Sequence, residues 1–122
     1  MRVTIDPDWM RTAQDVARSF GAETRGRPGV RHHIYVVLLE APVRRIRHGL
    51  YVGQTSLDPD VRFDQHKAGY KASRAVRRYG VGLLPQIVAH LNPLAGWESI
   101  ELEAALAEAF RAAGVGWVEG GH

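Results

Sequence analysis

Three side chains near the middle of the chain have the types and spacing that phosphate chemistry needs. Tyr51 sits in the apolar run Leu50-Tyr51-Val52, and Arg62 and His66 follow four residues apart, so on a helix they share a face. An arginine offers a planar fork that matches two phosphate oxygens and keeps its charge at any working pH. A histidine can take a proton near neutral pH; it can equally be a structural ring hydrogen-bonded to a loop. The elements that must position them are short. Leu50 to Val52 reads as the end of a strand, and Gly53 permits a backbone turn that a β-branched residue would resist. Asp58-Pro59-Asp60 then supplies a cap, a first-turn proline and an acid for the dipole of a new helix. Strand end, turn and helix gather Tyr51, Arg62 and His66 around one mouth.

The composition narrows what such a mouth can serve. A chain of 122 residues has room for one core. No apolar run approaches a membrane span, and the first residues lack the basic-apolar-small pattern of a secretory leader. With no cysteine, disulfides, thiolate nucleophiles and Cys-type zinc sites are excluded, and a reducing cytoplasm is the expected compartment. The net charge of +3 hides an asymmetry. Residues 1–40 carry six Lys/Arg against five Asp/Glu, residues 41–80 nine against three, and residues 81–122 one against five. The basic charge surrounds the central stretch, which points to a phosphate-bearing partner; on charge alone a solvated basic surface reads the same.

The remaining elements follow from periodicity and breakers. Asp6-Pro7-Asp8 opens a helix over about residues 7–20, with Trp9, Ala13, Val16, Ala17 and Phe20 at helical spacing. This helix and the glycine-rich loop after it, residues 1–30, form an accessory to a domain over 31–122. Ile34 to Leu39 is apolar on both alternate faces, as in a central strand covered on both sides. The strand around Leu50 follows too closely for a crossover helix, so the two pair antiparallel. Arg44, Arg45 and Arg47 lie on the connector between them.

The helix from Pro59 ends near Gly69, and a second, from about Ala72 to Tyr79, turns Ala72, Ala75, Val76 and Tyr79 inward. Its cations, Arg74, Arg77 and Arg78 with Lys71 before them, project outward. Leu83 to Ala89 reads as a third strand, with Pro85 marking an edge or bulge. Trp97 to Ala113 is a last helix whose apolar arc is Leu102, Ala105, Leu106, Ala109, Phe110 and Ala113. The expected fold is α/β (α+β): a small three-stranded, mainly antiparallel sheet flanked by helices.

The order His33-Ile34-Tyr35, then Tyr51-Val52-Gly53, then Arg62 with His66, a basic second helix and a late acidic helix resembles a GIY-YIG nuclease domain. The resemblance runs from about Ile34 to Gly114. It departs where His33 replaces the family's first glycine, where Gln54 replaces a lysine found in some members, and in a 15-residue spacer between Tyr35 and Tyr51. No match for the family's late asparagine is present, and Gly120-Gly121-His122 has no counterpart in the pattern.

The resemblance implies a metal-dependent endonuclease that hydrolyses DNA phosphodiesters by in-line water attack with one Mg²⁺ or Mn²⁺. It gives catalytic roles to Tyr35, Tyr51, Arg62, His66 and a late-helix glutamate, with Gly53 shaping the motif backbone. Helix geometry favours Glu103 as the metal ligand, because it borders the apolar arc, with Glu98 on the first turn as the alternative. Either Tyr35 or His66 can be the base. The nucleic-acid face falls to Arg44, Arg45, Arg47, Lys67, Lys71, Arg74, Arg77 and Arg78. Two other readings compete: a binding module of the same fold that has lost cleavage, and a domain whose basic face meets an acidic protein.

Overall fold

A computed structural model describes residues 7–42 and 45–121. Along the chain it places α1 (Pro7–Arg18), β1 (His33–Glu40), β2 (His48–Thr55), α2 (Pro59–Ala68), α3 (Arg74–Tyr79) and β3 (Gly80–Leu83). Then follow α4 (Pro85–Val88), a 3-10 turn (Ala89–Leu91), α5 (Gly96–Ala112) and β4 (Val118–Gly120). The strands form one four-stranded sheet in the order β3-β1-β2-β4. β1 is antiparallel to β2 and β3, and β4 runs parallel to β2. The class is mixed α/β. No helix among the described residues is long and apolar enough to cross a membrane.

The third and fourth strands differ from expectation. Pro85 is a first-turn helix proline, so Leu83 to Ala89 holds α4, while the strand is the glycine-rich segment before it. A four-residue apolar run is ambiguous between the two states, and here the proline decides it. The closing glycines are also structural. Gly120 adopts a left-handed φ of 84°, and a Cβ there would collide with the carbonyl oxygen of Val52, so only glycine lets β4 lie against β2.

β1 is the interior strand that its double-sided apolar pattern implies, with Ile34 to Leu39 all buried. One face of the sheet carries Ile34, Val36, Leu50 and Val52 against Ala13 and Ala17 of α1, Ile87 of α4, and Leu106 and Phe110 of α5. Each such fully buried aliphatic side chain contributes about 1.5–3 kcal/mol. α1 therefore shares this core, since Ala13 and Ala17 are wholly inaccessible; Asp6, expected to cap it, lies outside the described residues. The other face carries Tyr35, Val37, Leu39 and Trp117 against Val76 of α3, with Tyr51, Phe63 and Tyr79 packed at its border.

α5 is rotated from the expected arc. Ala105 and Ala113 are exposed, whereas Ser99, Glu103 and Ala107 are buried with Leu106 and Phe110. Small residues set this rotation. Ser99 Oγ donates to Gln54 Oε1 at 3.1 Å, and Gly121 lies so close to Ala107 that an added Cβ would sit 2.5 Å from the alanine methyl. Glu103 is thereby turned inward rather than left at the rim.

Glu98 has a different task. Its carboxylate accepts from the Glu23 N–H at 2.7 Å, the Thr24 N–H at 2.8 Å and the Thr24 hydroxyl at 2.5 Å. Burial pushes its pKa up, but these hydrogen bonds outweigh that, and the net shift is downward. Glu98 anchors the loop after α1 to the start of α5.

Candidate active site

The β1–β2 register sets Tyr35 opposite Gly53 and Val37 opposite Tyr51. Gly53 lies within the strand, not at a turn, and its φ needs no glycine. Space explains it. A Cβ at residue 53 would stand 2.5 Å from Tyr35 Cζ, 2.6 Å from its Oη and 2.8 Å from Tyr51 Cε1. The missing side chain is the bed on which the Tyr35 ring lies. Gly53→Ala should therefore displace the phenol, cost about 1–3 kcal/mol of stability as overpacked sites do, and slow any chemistry at Tyr35 about tenfold or more. Thermal melts and single-turnover rates on one preparation check this.

α2 brings His66 beneath the two phenols. Asp58 caps α2 by accepting the Asp60 N–H at 2.9 Å, and Gly69 closes it in a left-handed conformation with φ of 88°. His66 is 1% exposed. The Ser73 N–H donates to His66 Nδ1 at 2.9 Å, so the ring proton belongs on Nε2, which lies 2.8 Å from Tyr35 Oη. Tyr35 in turn hydrogen-bonds Tyr51. The two rings lie side by side, their centroids 6.0 Å apart. The chain runs from His66 Nε2–H to Tyr35 to Tyr51, and ends on the more exposed phenol.

The protonation energetics follow this geometry. Burial, with help from the Arg62 charge, depresses the His66 pKa to about 4. Burial raises both phenols; at Tyr51 the Tyr35 hydrogen bond and Arg62 oppose the rise, while Glu103 adds to it. With its Nδ1 lone pair already accepting and its Nε2–H donating, His66 has no free lone pair for a water. A histidine-selective NMR titration of the protein's six histidines should show one ring titrating near pH 4 rather than near 6.5.

Arg62 is held by three hydrogen bonds. Its Nη1 donates to Gln65 Oε1 and to Tyr70 O, both at 3.2 Å, and Nη2 donates to Lys71 O at 2.8 Å. These bonds occupy the Nη1/Nη2 end of the guanidinium. None of them engages Nε, which leaves the side edge that matches two oxygens of one anion open to a ligand.

Glu103 comes from α5, which packs on the opposite face of the sheet, and is 7% exposed. Its charge nevertheless acts on the hydroxyls of both Tyr35 and Tyr51. Glu98 instead lies in the loop anchor described above. Glu103 is thus the late-helix acid in electrostatic reach of the phenols.

Tyr51, Arg62, His66, Lys71, Arg74 and Arg78 line one open cleft of about 740 Å³. α3 begins at Ser73, whose hydroxyl accepts the Val76 N–H, and its exposed side presents Arg74 and Arg78 to that cleft. Other basic residues are placed elsewhere. Lys67 Nζ donates to Val76 O, Arg77 O and Gly80 O, closing the C-terminal end of α3. The Arg77 guanidinium packs against Gly69. Arg45 borders a separate hollow with Ile46 and Trp117, and Arg47 bonds Pro42 O. Arg44 lies outside the described residues.

Three cleft residues escaped the sequence reading. Ser73 was hidden because its contribution is a backbone N–H. Tyr79, which borders Trp117 edge-on at 5.4 Å, looked like an ordinary inward aromatic. Glu119 pairs with Tyr51 across β2 and β4 and lines the cleft; the signal was the alternation in Trp117-Val118-Glu119, too short to outweigh its glycine neighbours. Comparison with protein-family models, with curated proteins and with solved structures yields no match to this chain.

Proposed function

We propose that this chain is a metal-dependent endonuclease that hydrolyses DNA phosphodiesters. The observation that carries the reading is the convergence of the His66–Tyr35–Tyr51 hydrogen-bond chain and a clamped arginine with a free fork edge at the mouth of one basic cleft. Arg62 binds the scissile phosphate and stabilises the charge that develops on it. Tyr51, as the terminal phenol, orients the attacking water and, once ionised to the phenolate, accepts its proton; Tyr35 and His66 are positioning residues behind it.

Among the described residues no group of three or more His, Asp or Glu gathers around one point. Glu103 nonetheless offers what a hard cation needs, an anionic oxygen whose charge reaches the hydroxyls of Tyr35 and Tyr51, with water and phosphate oxygens to fill the remaining positions. A bound Mg²⁺ or Mn²⁺ there would supply charge stabilisation for the phosphoryl oxygens. Glu103 is also one of the charges that hold Tyr51 protonated, so neutralising it moves the Tyr51 pKa down toward the working range. A chain without cysteine suits work in a reducing cytoplasm.

The upward-shifted phenols favour a second reading, a module that binds DNA without cutting it. Nicking of supercoiled plasmid separates the two. Open-circle product in Mg²⁺ or Mn²⁺, abolished by EDTA, is expected of the nuclease, and its absence with DNA bound leaves the module. The DNA partner itself is tested by salt. Each phosphate neutralised contributes about 0.9 to the slope of log affinity against log salt on duplex DNA. Arg74→Gln with Arg78→Gln should flatten that slope by about one to two units while leaving the single-turnover rate at saturating DNA nearly unchanged. An unchanged slope would move the DNA face away from α3.

A further inference from the structure

Between α2 and α3 the chain makes a turn that is expensive in conformation and conspicuous in what it displays. Gly69 is left-handed, and after it Lys71 also takes a positive φ, 44°, the sole non-glycine residue among those described to do so. Such a conformation is strained for a residue with a Cβ and persists where surroundings hold it. Here the holder is Arg62, whose guanidinium grips the carbonyls of Tyr70 and Lys71. Tyr70 N–H is fixed as well, donating to Gln65 O at 2.9 Å. The backbone around Tyr70 is thus tied at three points, yet the residue is 57% exposed. Lys71 Nζ stands 5.6 Å from the ring centroid, and Lys71 itself lines the cleft.

We propose that Tyr70 is a stacking platform for an unpaired nucleobase, and that the preferred substrate therefore has single-stranded or branched character beside the scissile phosphate. The inference rests on the nuclease reading above and names the substrate class of the same site. A rigidly presented aromatic face beside cations is what single-stranded nucleic acids bind, because every base has a π-face and stacking is tolerant of sequence. The guanidinium that takes the phosphate bonds the carbonyl of Tyr70 itself, so platform and phosphate clamp belong to one turn. A base within continuous duplex is already stacked between its neighbours, and reaching Tyr70 would require extruding it at a cost.

The test is equilibrium binding in EDTA, which keeps cleavage out of the measurement. The probes are a single-stranded oligonucleotide, a junction with an unpaired arm, and an intact duplex, with 2-aminopurine in the first two. Parent protein should perturb the 2-aminopurine emission and bind the unpaired probes more tightly than the duplex. Tyr70→Ala should abolish the emission change and weaken those two complexes roughly 5- to 100-fold, with duplex affinity changed less than about twofold. Tyr70→Phe should restore both, because the ring and not the hydroxyl does the stacking. Equal losses on all three probes, no loss on any, or a phenylalanine variant as weak as alanine would overturn the platform. If parent binds the probes and Tyr70→Ala binds them equally well, the platform fails alone. If parent binds none of the DNAs, the nuclease reading falls with it.

Discussion

Glu103→Gln should abolish cleavage and spare both the fold and DNA binding. The substitution keeps the shape of the side chain and removes the negative charge a divalent ion requires. Loss of a principal stabiliser of transition-state charge costs about 10²- to 10³-fold or more, so single-turnover cleavage in Mg²⁺ or Mn²⁺ should fall at least that far. DNA affinity measured in EDTA should match the parent, because the binding cations line the cleft and Glu103 does not. A second readout follows from its field on the phenols: with the carboxylate gone, the Tyr51 titration followed by absorbance should move to lower pH. Glu98→Gln makes the control. It should lower the melting temperature, since three donors to Glu98 lose a charged acceptor, and leave the rate per folded molecule unchanged. The reverse pattern, Glu98→Gln dead and Glu103→Gln active, would show that the wrong acid has been assigned.

Arg62→Lys should be nearly as damaging, although it conserves charge. In the proposed mechanism the arginine does two jobs with two edges of one plane. One end holds the Tyr70 and Lys71 carbonyls, and the other edge stays open for two phosphate oxygens. An ammonium is a point donor and cannot serve both. The rate at saturating DNA should fall about 10²- to 10³-fold, and amide exchange at residues 70 and 71 should quicken as the turn loses its clamp. A lysine variant as active as the parent would mean that the guanidinium meets no phosphate.

Much of this site was legible because it is written in local chemistry. The Asp58-Pro59-Asp60 start and the Gly69 stop fix α2, and helical spacing then places Arg62 and His66 on one face wherever the helix docks. The interior position of β1 was equally plain from its unbroken apolar run. Most of the failures share a cause: the deciding contact comes from outside the residue's own element. Gly53 looked like a turn glycine, because nothing in its neighbourhood says that the ring of residue 35 will lie across it. Lys67 looked like a phosphate ligand until α3 presented three carbonyls to it. The parallel pairing of β4 with β2 joins segments at opposite ends of the domain, so its short glycine-rich sequence carried no signal of a strand. α5 was misrotated by two residues' worth of alanine because small side chains at Ala107 and Gly121 make contacts that an apolar-weighted arc ignores.

The central claim, water-mediated hydrolysis of a DNA phosphodiester at the Tyr51–Arg62–Glu103 centre, is tested most directly by the fate of an oxygen atom. A single turnover on radiolabelled DNA in ¹⁸O-enriched water, with Mg²⁺ or Mn²⁺, should place one heavy oxygen on the phosphate of the phosphorylated end of each cut and none on the hydroxyl end, with none of the DNA covalently attached to protein. Ends without ¹⁸O accompanied by a tyrosyl-DNA adduct, or DNA that stays bound and uncut with both metals, would contradict the account.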